Sequence, residues 1–197
     1  MDQEQFLTPG QGLTLISRVI SRTRDNIREH SFIFLLWGWL LAIASLGWFV
    51  LQTLTSVTYY FIPFPVLSAV GLIVSFVYYR KHIAAKTETY LNYFIRSLWM
   101  VLALGFVVTV FVSVSQEVRP FSYTLILGGI GTMVTGLTMK FRPLFFGGIF
   151  FMICAIVCIF LPVEYKVLVH GTAIIFGYLV PGYLLRNSKE PADGQVI

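Results

Sequence analysis

Six apolar runs, each about 20 residues long and set apart by short connections, constrain this chain more than any other feature. They fall at about 32–54, 62–79, 95–115, 121–139, 144–161 and 165–185. A strand or core helix of a water-soluble domain needs far fewer consecutive apolar residues, whereas a helix crossing about 30 Å of hydrocarbon needs about 20. Hydrophobic residues make up 57% of the 197 positions and charged residues only 12%, with a mean hydropathy of +0.80. A soluble domain covers itself with about 25% charged residues, so this chain could not do so. Inside lipid no water satisfies a free peptide group, and the spans are therefore helices. The expected fold is all-α: a polytopic transmembrane bundle of six helices with an amphipathic N-terminal helix.

That first helix covers residues 8–30. Thr8 reads as its N-cap, with Pro9 in the first turn and Gln11 three residues on. Leu13, Ile16, Val19, Ile20 and Ile27 fall on one face and Arg18, Arg22, Asp25, Arg28 and Glu29 on the other. Such a helix suits the membrane surface, apolar face down and arginines toward phosphates; docking on the inner face of the bundle accounts for the pattern equally well. The organisation expected is an N-terminal cytoplasmic segment over 1–31, a six-helix transmembrane domain over 32–186, and a disordered cytoplasmic tail over 187–197, where Pro191 and Gly194 interrupt any pattern.

Charge decides direction. Twelve of the 14 Lys and Arg residues lie before the first run, in the 80–96 and 140–142 connections, or in the tail; only Arg119 and Lys166 lie on the other side. The bias of basic residues toward the cytoplasm then places both termini inside the cell membrane, with an even number of spans. Aromatic residues fit the same frame: Trp37, Trp39, Tyr78, Tyr79, Trp99 and Tyr183 fall toward the inner ends, and Tyr59, Tyr60, Tyr123 and Tyr165 toward the outer ones. The three outer connections are short, so the spans read as three hairpins, each ending in basic residues, and a triplicated hairpin is one reading of them. Arg18, Arg22, Arg28, Arg80 and Lys81 are the residues expected at anionic headgroups. A net charge of +5 is thereby assigned to lipid and not to nucleic acid.

Chemistry has few places to sit. None of the charged side chains falls at the centre of a run. Proton-coupled transporters generally hold a carboxylate or similar group there, because a buried charge is how they couple. His-Glu-x-x-His, Gly-x-Ser-x-Gly and phosphate-binding glycine loops are all lacking from the sequence. No catalytic residue is assigned and no cofactor is expected. The fourth run is distinctive: Gly128, Thr132 and Gly136 form one small-residue stripe, with Gly131 and Thr135 beside it. Small residues let helix backbones approach, and threonine hydroxyls bond across the contact. The stripe reads as a packing surface at the bundle centre; hydroxyls lining a solute path, or a homodimer face, are the alternatives. Cys154 and Cys158 stand one turn apart on the fifth run, and His170 stands at a similar depth on the sixth. Thiolate and imidazole are ligands for zinc or copper, although a closed zinc site needs four and Met152 or Glu164 would have to help. Pro181-Gly182 is expected to bend the sixth helix.

The stretch Gly131-Thr132-Met133-Val134-Thr135-Gly136, continuing through Arg142-Pro143-Leu144-Phe145-Phe146-Gly147-Gly148 to Leu161-Pro162, resembles small bacterial six-helix inner-membrane proteins. One group of these is associated with acid resistance and built from glycine-rich hairpins. The resemblance implies a six-helix bundle in a bacterial inner membrane and carries no catalytic residue to this chain. The functional expectation is a non-enzymatic structural, regulatory or stress-related bundle, with anionic lipid at its inner face and a second copy or another membrane protein as partner. A small-solute channel or facilitator, and a metal- or redox-responsive protein, are the alternatives.

Overall fold

The computed structural model describes residues 9–55, 58–83 and 90–187, with the helical backbone alone described for 9–30, 82 and 83. The expected cap at Thr8, Lys86 in the second connection and the tail over 188–197 lie outside the described residues. So do the side chains of Arg18, Arg22 and Arg28.

Every described segment longer than a turn is helical: α1 Pro9–Leu54, α2 Pro63–Tyr78, α3 Tyr90–Ser115, α4 Phe121–Thr138, α5 Arg142–Phe160, α6 Val163–Ile174 and α7 Val180–Asn187. Two π-helical turns, Tyr79–Ile83 and Ile175–Leu179, extend α2 and join α6 to α7. Six stretches are long and apolar enough to cross a membrane: Ser31–Leu54, Pro63–Lys81, Tyr90–Ser115, Phe121–Thr138, Arg142–Phe160 and Val163–Asn187. The chain is an all-α, multi-pass membrane bundle. Five of the expected runs match to within a few residues, and the third starts earlier, at Tyr90.

α1 differs from expectation in its continuity. It is a single helix of 46 residues, about 69 Å at 1.5 Å per residue. The boundary expected at residue 31 is not marked by a break, which a helix turning flat onto the membrane surface would need.

The helix ends follow from local chemistry. Pro63 and Pro143 occupy the first turns of α2 and α5, where a missing N–H leaves no bond unmade. Glu164 sits in the first turn of α6 and Arg186 in the last turn of α7, each complementing the helix dipole. α4 ends in a Schellman turn: Phe141 N–H bonds Gly136 C=O at 2.8 Å and Lys140 N–H bonds Leu137 C=O at 3.1 Å, with Lys140 at φ 53. α3 ends the same way on Glu117, at φ 57. Pro181 explains the π turn before it. A proline ring clashes with the carbonyl four residues back, and the widened turn over 175–179 takes up the misfit while the helix runs on.

The spans are unequal in burial. Half of the apolar stretch of the sixth span is buried, 44% of the fourth and 39% of the fifth, against 6% of the second and 11% of the third. α4 and α5 make the closest pairing; α1 packs on α2 and on the sixth span, and α3 leans on α4. The centre is therefore α4, α5 and α6–α7, braced by α1, while α2 and α3 form the flanks. The tightest pair is not one of the three hairpins read from the outer connections.

Candidate functional site

Glycine positions explain why α4 and α5 lie so close. A Cβ at Gly136 would stand 2.5 Å from the Phe145 backbone nitrogen. One at Gly148 would meet the Met133 nitrogen at 2.7 Å and the Gly129 carbonyl oxygen at 2.8 Å. Backbone atoms cannot move aside as a side-chain tip can, so only glycine permits this approach. A second close approach joins α5 to the sixth span, where a Cβ at Gly147 would stand 2.6 Å from the Gly177 oxygen. The stripe expected on α4 is thus divided. Gly136 faces α5, Gly131 faces Leu102 and Trp99 of α3, and Gly128 meets only Phe106 at 4.0 Å. Gly129 and Gly148, which the spacing argument did not single out, face each other across the same pair of helices. Their signal is the pair of Gly-Gly steps, 128–129 and 147–148.

Thr132 and Thr135 lie fully inside this packing. Their hydroxyls donate to the carbonyls one turn back, Gly128 at 2.6 Å and Gly131 at 2.7 Å. Trp99 Nε1 donates to Thr135 Oγ1 at 3.2 Å, tying α3 to α4. Around the pair stand Phe34, Trp99, Phe151 and Tyr178, in tilted or edge-to-face contact at 5.3–6.1 Å. Both threonines therefore serve helix contacts, and neither faces an opening.

A second polar group lies near the hairpin end of the bundle. Ser45 Oγ donates to the Leu41 carbonyl at 2.8 Å, and His170 Nδ1 lies 3.0 Å from the same oxygen. The two side chains thus share a hydrogen bond inside the bundle. Phe64 of α2 and Phe121 of α4 each hold their rings 5.5 Å from His170. Trp48 packs on Phe64, Phe121 and Tyr60 above it. Arg119, in the α3–α4 connection, covers this cluster: its guanidinium lies 5.3 Å from Trp48 and 5.0 Å from Tyr60, and it donates to the Tyr60 hydroxyl. Four spans meet here through one histidine, one serine and four rings. Sequence offered no signal for the Ser45–His170 pair, whose partners are 125 residues apart.

The soft-ligand set is corrected by this geometry. Cys158 directs its thiol to the Lys166 carbonyl at 3.9 Å, while His170 turns away to α1, α2 and α4. Among the described residues no three His, Cys, Asp or Glu side chains stand together as metal ligands would. Cys158 and His170 point in different directions, because the His170 face of α6 is the one that packs on α1. Both cysteines are free and buried, as small apolar fillers are.

At the basic end, Arg80 lies over the Phe76 ring at 4.8 Å and Lys81 borders a groove between α1 and α2. Trp37 Nε1 bonds Ser75 Oγ at 3.2 Å and Trp39 Nε1 bonds the Tyr183 hydroxyl at 3.1 Å, fixing α1 to α2 and α7. Comparison with protein-family models, curated proteins and solved structures returns no match.

Proposed function

We propose that this chain is a non-enzymatic membrane protein, a structural, regulatory or stress-related bundle acting through lateral helix contacts and lipid. One observation carries the reading. The polar side chains of the interior are committed to one another: Thr132 and Thr135 to their own helix, Trp99 to Thr135, His170 to Ser45, and, among the described residues, no buried side-chain nitrogen or oxygen lacks a partner. A solute path needs polar groups free to replace hydration, whereas a packed scaffold needs them satisfied. The apolar surface that such a scaffold would offer is on the flanking spans, where Leu72 of α2 and Val107 of α3 are 57% and 67% exposed.

The proposal extends to placement. The basic end is read as cytoplasmic, in a bacterial inner membrane, with Arg80 and Lys81 among anionic headgroups. A second copy of the chain or another membrane helix is the partner read for α2 or α3. Photocrosslinkers at Leu72 and Val107 in native membranes test this. Discrete protein adducts at either position support the scaffold. Lipid adducts alone, together with solute flux in proteoliposomes that Thr135→Val abolishes, would replace it with a facilitator.

A further inference from the structure

At the basic end of the first two spans an apolar groove of about 270 Å³ opens between α1 and α2. Its walls are Phe32, Ile73, Val74, Val77 and Tyr78, and Lys81 stands at its edge. The Phe32 and Tyr78 rings stack at 4.5 Å and close one side. Ile73 and Val77 are 64% and 44% exposed, on the least buried span of the bundle, so the groove faces the surrounding membrane and not the core.

Charge sits at one end only. Lys81 lies in the π-helical turn Tyr79–Ile83, and turns of this kind are rare and concentrate at functional sites. Its ammonium has no ionic or hydrogen-bonding partner among the described residues. Arg80, one residue before it, lies over the Phe76 ring at 4.8 Å and is exposed. A lysine stem runs along apolar surface and delivers its ammonium to headgroup level. The groove thus offers hydrocarbon contact along its length and positive charge at the depth of phosphates. The groove is open along one side, so part of an acyl chain can lie against its apolar walls without being enclosed.

We propose that this groove binds one acyl chain of an anionic phospholipid, whose phosphate pairs with Lys81 and Arg80. Free phosphate would leave the apolar walls without an occupant, and a zwitterionic lipid would gain no net attraction from the two cations. The inference rests on the reading that places Arg80 and Lys81 among anionic headgroups, and its failure would leave the lateral helix contacts of the scaffold reading untouched.

Native mass spectrometry of the full-length protein, released from detergent with phosphatidylglycerol or phosphatidylcholine of matched chains, tests it. One phosphatidylglycerol is expected to stay bound in preference to phosphatidylcholine. Lys81→Gln should lower that preference about fivefold, the effect of about 1 kcal/mol per basic residue at an anionic surface. Val77→Trp and Ile73→Trp fill the groove from exposed positions without disturbing the core, and should remove retention of both lipids. Lys140→Gln, at the same end but away from the groove, should change nothing. Unchanged lipid preference in Lys81→Gln overturns the proposal, as does wild-type retention in both tryptophan variants, or displacement of the lipid by inorganic phosphate alone.

Discussion

Nδ1 of His170 lies 3.0 Å from the hydroxyl oxygen of Ser45, joining the sixth span to the first across 125 residues of chain. Ser45 also bonds the Leu41 carbonyl at 2.8 Å, which holds its oxygen in place. A double-mutant cycle with Ser45→Ala and His170→Phe should therefore show coupling. Hydrogen bonds between membrane helices average about 0.6 kcal/mol and reach about 1.7 kcal/mol. Reversible unfolding in mixed micelles measures it, and we expect a value in the upper half of that range, since Phe64 and Phe121 hold the imidazole in place. Coupling indistinguishable from zero would show that the two groups do not meet in the folded protein.

Glycines of the packed spans should respond to alanine with opposite signs. Gly136→Ala and Gly148→Ala place a methyl group against backbone atoms at 2.5–2.8 Å, and each should destabilise the bundle by about 2 kcal/mol. Gly128→Ala meets only a ring tip at 4.0 Å. It should be neutral or stabilising by about 0.5–1 kcal/mol, through the usual gain of alanine over glycine in a helix. Gly105→Ala, with its nearest neighbours at 3.9 Å, serves as a second open position. Thermal unfolding in detergent ranks the four variants, and equal effects at Gly128 and Gly148 would contradict the packing described.

The turn closing α3 holds a non-glycine residue in the left-handed region. Glu117 has φ 57 and is exposed at the hairpin end. Such a conformation disfavours an L side chain by roughly 1–2 kcal/mol. Glu117→Gly should raise stability by about 1 kcal/mol while keeping the bond from Val118 N–H to Ser113 C=O at 2.9 Å. A loss of stability in the same unfolding assay would mean that the Glu117 side chain makes a contact of its own.

What could be read from the sequence followed from period and length. Helices 2, 4, 5 and 6 carry apolar runs that end at charges or prolines, such as Arg80, Pro143 and Pro162, so their limits were visible within a few residues. The third began earlier because Tyr90, Asn92 and Arg96 are polar yet helical, and a hydropathy pattern cannot separate a polar first turn from a loop. Pro181 marked a distortion in the sixth helix, but its form, a π turn over 175–179 followed by continued helix, depends on packing against Gly147 and Phe151. The glycine spacing on α4 identified a contact surface. Which glycine faces which neighbour depends on the rotation of α4 against α3 and α5, which one helix does not encode alone. The candidate ligands Cys154, Cys158 and His170 do not stand together for the same reason: position can be counted along a chain, while direction is set by the partner helices.

The polar interior of this bundle is closed on itself. Accessibility of Thr132 and Thr135 tests it most directly. Thr132→Cys and Thr135→Cys, made with Cys154 and Cys158 replaced by alanine, would be exposed in proteoliposomes to a membrane-impermeant thiol reagent from both sides. Gln116→Cys, at an exposed position of the hairpin end, reports full reactivity. Both interior cysteines should stay unlabelled until the protein is unfolded, while Gln116→Cys reacts at once. Labelling of either interior cysteine in the folded protein, at a rate near that of Gln116→Cys, would reveal a water-filled path beside α4 and contradict it.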